Sequence, residues 1–225
     1  MGMIYSFSQN QLKVLLKGSG YSKVAGIYID SESLDNSIVL TALNELTRAG
    51  VVLSSQESFL VIDPVRDIVC TLGRAEEYIV LHSNDASLPD KCMFLSDKIL
   101  VCNSRQKDST HIQAELFEYG ELFGELTDEG YFAIDSSDVQ VEEKVLEKYE
   151  QEVFEGVDPN KPLNESSAVL FSMEEITSEG QLLRYMRVVA YYFYTYIVFY
   201  DGEQLVRDAY TSDNAKKYFE KMINI

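Results

Sequence analysis

Apolar residues recur every three to four positions at two places near the amino end. Leu12, Leu15 and Leu16 follow Ser8, whose hydroxyl suits a helix N-cap, and Gly18 and Gly20 stop the run. Val39, Ala42, Leu43, Leu46 and Ala49 make a second stripe behind Asp35 and Asn36, with Gly50 just past its last turn. A short apolar stretch, Val24 to Ile29, lies between the two. Val51-Val52-Leu53 and Phe59-Leu60-Val61-Ile62 flank a polar turn at Ser54–Ser58 and read as a hairpin. Asp63-Pro64 caps a further short helix through Leu72, where proline in the first turn costs nothing. Helix, helix, hairpin is the layout of a winged helix-turn-helix, expected over residues 1–75.

From Tyr78 the period changes to two. Tyr78–His82, Lys91–Leu95, Ile99–Cys102 and His111–Tyr119 are expected strands, separated by Ser, Asn, Asp and Pro turns, with a tight reversal at Asp97-Lys98. Gly120–Ile134 reads two ways: Leu122, Phe123 and Leu126 suit a short helix, and Tyr131–Ile134 a strand. Asp138–Phe154 is an amphipathic helix with Val141, Val145, Tyr149 and Val153 at four-residue intervals; Gly156–Asn164 follows as a loop. The last third predicts a strand at Ala168–Ile176 and one or two long strands over Leu182–Tyr200. Asp201-Gly202 is the dipeptide of a two-residue hairpin, followed by a strand at Gln204–Tyr210 and a helix at Asp213–Met222 capped by Thr211 or Ser212.

Strand, turn, strand and helix occur twice in the same order, Ile99–Cys102 with His111–Tyr119 and Tyr196–Phe199 with Gln204–Tyr210, each after a helical element; the readings are a duplicated unit sharing one sheet or a chance similarity of hairpins. The expected fold is α+β: a central antiparallel sheet with flanking helices, a winged-helix-like amino-terminal unit and a pseudo-two-fold repeat. As domains, 1–225 form one α+β domain. Within it, 1–75 make the helical unit, 76–135 a first sheet half, 136–165 a helix and loop, and 166–225 a second sheet half with the carboxy-terminal helix.

Charge narrows the partners. With 19 basic against 37 acidic residues, the net charge is −18 at pH 7. Nucleic acid and anionic membrane both need a basic face. The second helix exposes Asn44, Glu45, Thr47 and Arg48, and the wing turn is Ser54-Ser55-Gln56-Glu57-Ser58. One arginine against two glutamates is the wrong balance for reading DNA. No window approaches the roughly 20 apolar residues of a membrane helix, and the amino end lacks the features of a signal peptide. A cytoplasmic protein is expected.

Chemistry is sought and mostly not found. No phosphate-binding glycine motif occurs. The two histidines, His82 and His111, sit in no zinc motif, and Cys70, Cys92 and Cys102 show no close pair in sequence. No serine stands in G-x-S-x-G. Glu142, Glu143, Glu147 and Glu150 read as a solvated helix face, and Asp128-Glu129-Gly130 as a turn rather than a metal loop. The expectation is no catalytic residue, no metal and no cofactor, the alternative being an enzyme with an unrecognised carboxylate site.

The most distinctive segment is Tyr191-Tyr192-Phe193-Tyr194-Thr195-Tyr196-Ile197-Val198-Phe199-Tyr200. Read as one strand, it sends Tyr191, Phe193, Thr195, Ile197 and Phe199 to a core face. The opposite face carries Tyr192, Tyr194, Tyr196, Val198 and Tyr200, and tyrosine is enriched where proteins meet. Tyr192, Tyr194, Tyr196 and Tyr200 are the candidate partner-binding residues, against the alternative that helices cover that side too.

One resemblance rests on the run Leu43-Asn44-Glu45-Leu46-Thr47-Arg48-Ala49-Gly50-Val51-Val52. After it come a short hairpin, Val61-Ile62-Asp63-Pro64, a helix to Leu72 and the strand Tyr78–His82. This order is similar to the opening of the EspG-type chaperones of type VII (ESX) secretion, and the ending around Asp201-Gly202 resembles theirs as well. The resemblance implies an antiparallel sheet with pseudo-two-fold related halves and flanking helices. It also implies a cytosolic, non-enzymatic role that binds a helical secretion substrate through the sheet and adjoining loops. The chain departs from the family in being shorter and strongly acidic, and it offers no residue transferable as a binding determinant. A homodimer is left open, and the runner-up is a winged-helix regulator or scaffold acting through protein contacts.

Overall fold

Ser8 ends one element and begins the next. It closes a four-residue strand, β1 (Tyr5–Ser8), and opens helix α1 (Gln9–Gly18) with a capping box. Its hydroxyl accepts from the Gln11 amide at 3.3 Å, while its own amide donates to Gln11 Oε1 at 2.9 Å. The strand ahead of the cap is not predicted, because four residues are too few to show a period. Asp35 opens α2 (Asn36–Arg48) by accepting from the Ile38 amide at 2.8 Å. The expected hairpin is β2 (Val52–Ser54) and β3 (Phe59–Val61). Helix α3 (Asp63–Arg74) carries Pro64 in its first turn, but Ile62 is its N-cap and no side chain caps it. Asp63, expected as the cap, pairs instead with Arg66 at 2.5 Å.

The computed structural model describes residues 3–29, 33–55, 58–103, 111–132, 167–191 and 194–223. The helix expected at Asp138–Phe154, the loop at Gly156–Asn164, and Tyr192 lie outside the described residues. The remaining elements are β4 (Glu77–Ser83), β5 (Lys91–Leu95), β6 (Ile99–Asn103), β7 (His111–Phe117), α4 (Leu122–Asp128), β8 (Ser167–Thr177), β9 (Leu182–Tyr191), β10 (Tyr194–Tyr200), β11 (Leu205–Ala209) and α5 (Ser212–Ile223). The described strands, β2 and β3 apart, form a nine-stranded antiparallel sheet in the order β1-β7-β6-β5-β4-β8-β9-β10-β11. Both β6-β7-α4 and β10-β11-α5 run strand, strand, helix, the order expected from the sequence, and each is preceded by a further strand, β5 or β9.

Three local readings are corrected. The tyrosine-rich run is not one strand: β9 ends at Tyr191 and β10 starts at Tyr194, and these two residues pair with each other. Tyr131 and Phe132 are buried in a turn after α4 rather than in a strand. The β10–β11 turn is framed one residue later than predicted. The Asp201 amide donates to the Gln204 carbonyl, so Gly202 and Glu203 are the central residues. Gly202, at φ +102°, supplies the positive φ that the first central position of a type II′ turn needs.

The described residues divide into two units. In the first, comprising Met1–Val80, Pro89–Gly120 and Ile176–Gln181, α1 and α3 bury Leu12, Leu15, Val65, Ile68 and Leu72 together with Phe7, Phe94, Leu100 and Ile112 of the sheet. In the second, α4 and α5 meet around four phenylalanines. Phe132 lies 4.7 Å from Phe171, 4.8 Å from Phe123 and 5.7 Å from Phe219, centroid to centroid. The buried Tyr210 hydroxyl donates to the Phe132 carbonyl at 2.9 Å, which fixes the turn after α4 to the end of β11.

Candidate protein-contact surfaces

Helix α5 packs on β9 and β10. The Phe199 ring lies 5.0 Å from Tyr218, with the Lys221 ammonium 5.4 Å above Phe199. Thr195, Ile197 and Phe199 alternate on that face of β10, as expected of a core face. The opposite face is also packed. Tyr196 is 0% exposed and clusters with Tyr185, Val189 and Val198. It is a core residue of the second unit and offers no ring to an outside molecule. Tyr200 is half-buried: its ring lies 5.5 Å from Tyr185, and its hydroxyl donates to the Gly202 carbonyl at 2.6 Å. Tyr194 opens β10 opposite Tyr191.

Charges beside this cluster are matched. Arg187 contacts Glu174 at 2.7 Å and lies 4.4 Å over the Tyr185 ring. Burial pushes the Tyr185 phenol above its usual range, and the Arg187 guanidinium pulls part of the way back. Arg184 pairs with the buried Glu175 and also donates to the Lys221 carbonyl at 2.9 Å, near the end of α5. These pairs hold β8, β9 and α5 to one another.

Exposed apolar surface gathers in the first unit, on a feature that sequence reading treated as a structural wing. Leu53 and Leu60 stand directly opposite each other in the β2–β3 ribbon and are 54% and 58% exposed. Phe59 is 53% exposed, and Leu40 of α2 is 60% exposed. Val52, on the other face of the ribbon, is buried. The signal was present in the sequence: both strands are apolar at consecutive positions, and a two-stranded ribbon can hide one face but not two.

Chemically the described residues offer little. No three His, Cys, Asp or Glu side chains among them gather as metal ligands. A cleft of about 580 Å³ is lined by Lys13, Lys17 and Lys23 together with Leu16, Val24 and Ile27. A second, of about 540 Å³, lies beside Cys70, Arg74 and Lys98. The second is also lined by Asp67, Ser96 and Asp97. No helix among the described residues is long and apolar enough to cross a membrane.

No family model matches the chain, and no curated protein matches it in sequence. Its fold is similar to that of the type VII secretion system chaperone EspG5 of Mycobacterium tuberculosis, solved in complex with a PE25–PPE41 dimer. The likeness covers 98% of this chain and 95% of that one, at a TM-score of 0.53 and 9% sequence identity. Identity that low establishes a common fold and nothing finer.

Proposed function

We propose that the chain is a non-enzymatic, cytoplasmic binding protein of the secretion-chaperone kind, which holds a helical secreted partner until export. The observation that carries this reading is the end-to-end likeness to a type VII secretion chaperone solved in complex with a PE25–PPE41 dimer. The exposed leucines of the β2–β3 ribbon add to it, since apolar side chains left in water are common where another chain docks. The acidic surface keeps such a complex soluble and disfavours acidic competitors.

Co-expression with small helical proteins encoded beside it, followed by size-exclusion chromatography, tests the reading. A stable complex with one of them is expected; if none co-purifies, the reading fails. Two substitutions distinguish the proposed contact surfaces. Leu60→Ser lies on the exposed ribbon and should change stability by no more than about 0.5 kcal/mol. If the ribbon is the contact, the same variant loses the partner. Tyr194→Ala tests the tyrosine-rich run in the same assay.

A further inference from the structure

Cys92 and Cys102 are separated by nine residues and match no motif, yet the fold sets them face to face. Strands β5 and β6 are antiparallel, and their register pairs Lys91 with Asn103, Cys92 with Cys102, and Met93 with Val101. The Ser96 amide donates to the Lys98 carbonyl at 3.1 Å, which makes 96/98, 94/100 and 92/102 the hydrogen-bonded pairs. Such pairs hold their Cα atoms about 5.5 Å apart with side chains on one face, inside the ~4.4–6.8 Å Cα range of a disulfide, and the Cβ atoms must close by about 1 Å for the bridge to form. Both residues stand as thiols, 1% and 0% exposed. Burial and the adjacent Cys92 sulfur hold the Cys102 thiol well above its usual range.

Cys92 also holds a loop. Its S–H donates to the Gly26 carbonyl at 3.1 Å. Gly26 has φ +74°, and a Cβ there would fall 2.7 Å from the Tyr78 ring. The chain between α1 and α2 thus approaches the sheet closely at the point where Cys92 meets it.

We propose that Cys92 and Cys102 are a redox-sensitive pair: exchange with a small disulfide of the glutathione class bridges β5 to β6 and, by removing the Cys92 proton, releases the Gly26 carbonyl and the loop around it. In the first step the Cys92 thiolate attacks one sulfur of the external disulfide and displaces one thiolate. The Cys102 thiolate then attacks the Cys92 sulfur and displaces the second. Two protein thiols are oxidised, one external disulfide is reduced to two thiols, and the two protons pass to the departing thiolates. Burial confines the exchange to moments of local opening, or to folding itself.

The test equilibrates the full chain with mixed oxidised and reduced glutathione, both folded and during refolding from urea. The refolded chain should lose two hydrogens in intact mass, and its titratable thiols should fall from three to one. Proteolysis should release one peptide pair joined through Cys92 and Cys102, and amide exchange over residues 22–29 should speed up. Cys102→Ser should form no internal bridge and instead retain glutathione on Cys92, and before oxidant is added its exchange over 22–29 should match that of the native chain. Cys92→Ala should form no bridge yet show the faster exchange, because the S–H donor is gone. In the native chain, a bridge that includes Cys70, or glutathione adducts without an internal bridge, would overturn the pairing. A Cys92–Cys102 bridge with unchanged exchange over 22–29 would overturn the coupling to the loop.

Discussion

Glycine inside a helix costs about 1 kcal/mol relative to alanine, so Gly73 in α3 looks like a weak point. The structure gives it a task. A Cβ at residue 73 would lie 2.2 Å from the Tyr21 ring, and the Tyr21 hydroxyl accepts from Arg74 Nε at 3.0 Å. Gly73→Ala should therefore destabilise the fold by about 1–3 kcal/mol by overpacking, despite its better helix propensity. Urea unfolding of Gly73→Ala, Tyr21→Ala and the double variant checks this: the alanine at 73 should cost nothing once the ring is gone. Tyr196→Ala should cost about 3–5 kcal/mol, as expected for a buried ring, and Tyr200→Ala clearly less. Equal costs would contradict the packing described here. Neither contact was legible in the sequence. Tyr21 lies far upstream of Gly73, and the tyrosine run shows its alternation without showing what packs against each face.

Elements were legible where their ends carry chemistry. Ser8, Asp35 and Gly50 mark α1 and α2 from sequence because short polar side chains satisfy first-turn amides and a helix can end on a left-handed residue. Gly50 has φ +71°. The strand β1 and the break after Tyr191 were not legible, since neither alters the run of apolar residues. Two aspartates should give the elements a common pH response. Asp35 is held below its usual pKa chiefly by the Ile38 amide, and Asp201 by the amides of Gln204 and Glu203. The folded state therefore binds these protons more weakly than the unfolded chain does. Their contribution is complete above the ordinary aspartate value of about 3.9 and is lost as pH falls through the lowered folded-state values. Thermal melts of the native chain and of Asp35→Ala/Asp201→Ala should differ at pH 7 and converge in acid. A gap that persists at the lowest pH would show that the carboxylate charge is not what these residues contribute.

At the scale of the whole molecule, the sequence carried the class of fold and the repeated connectivity but not the strand order. Local periodicity marks a strand without naming its neighbour, so β1 beside β7 could not be read from it. Net charge was legible and has a consequence of its own. At −18, self-repulsion opposes the compact state. Raising ionic strength from about 0.01 M to about 0.15 M shortens the screening length from about 30 Å to about 8 Å, so the melting temperature should rise. A fall would mean that pairs such as Arg187–Glu174 outweigh the repulsion. The pairing of Tyr5 with Ala114 sets the timing of assembly on the ribosome. β1 emerges before β7 and must wait for more than a hundred further residues before its partner leaves the exit tunnel. At about 5–20 residues per second that delay is roughly 5–20 s. During it the apolar residues of β1 have no strand to dock on, which makes that segment a natural place for a ribosome-associated holdase to act.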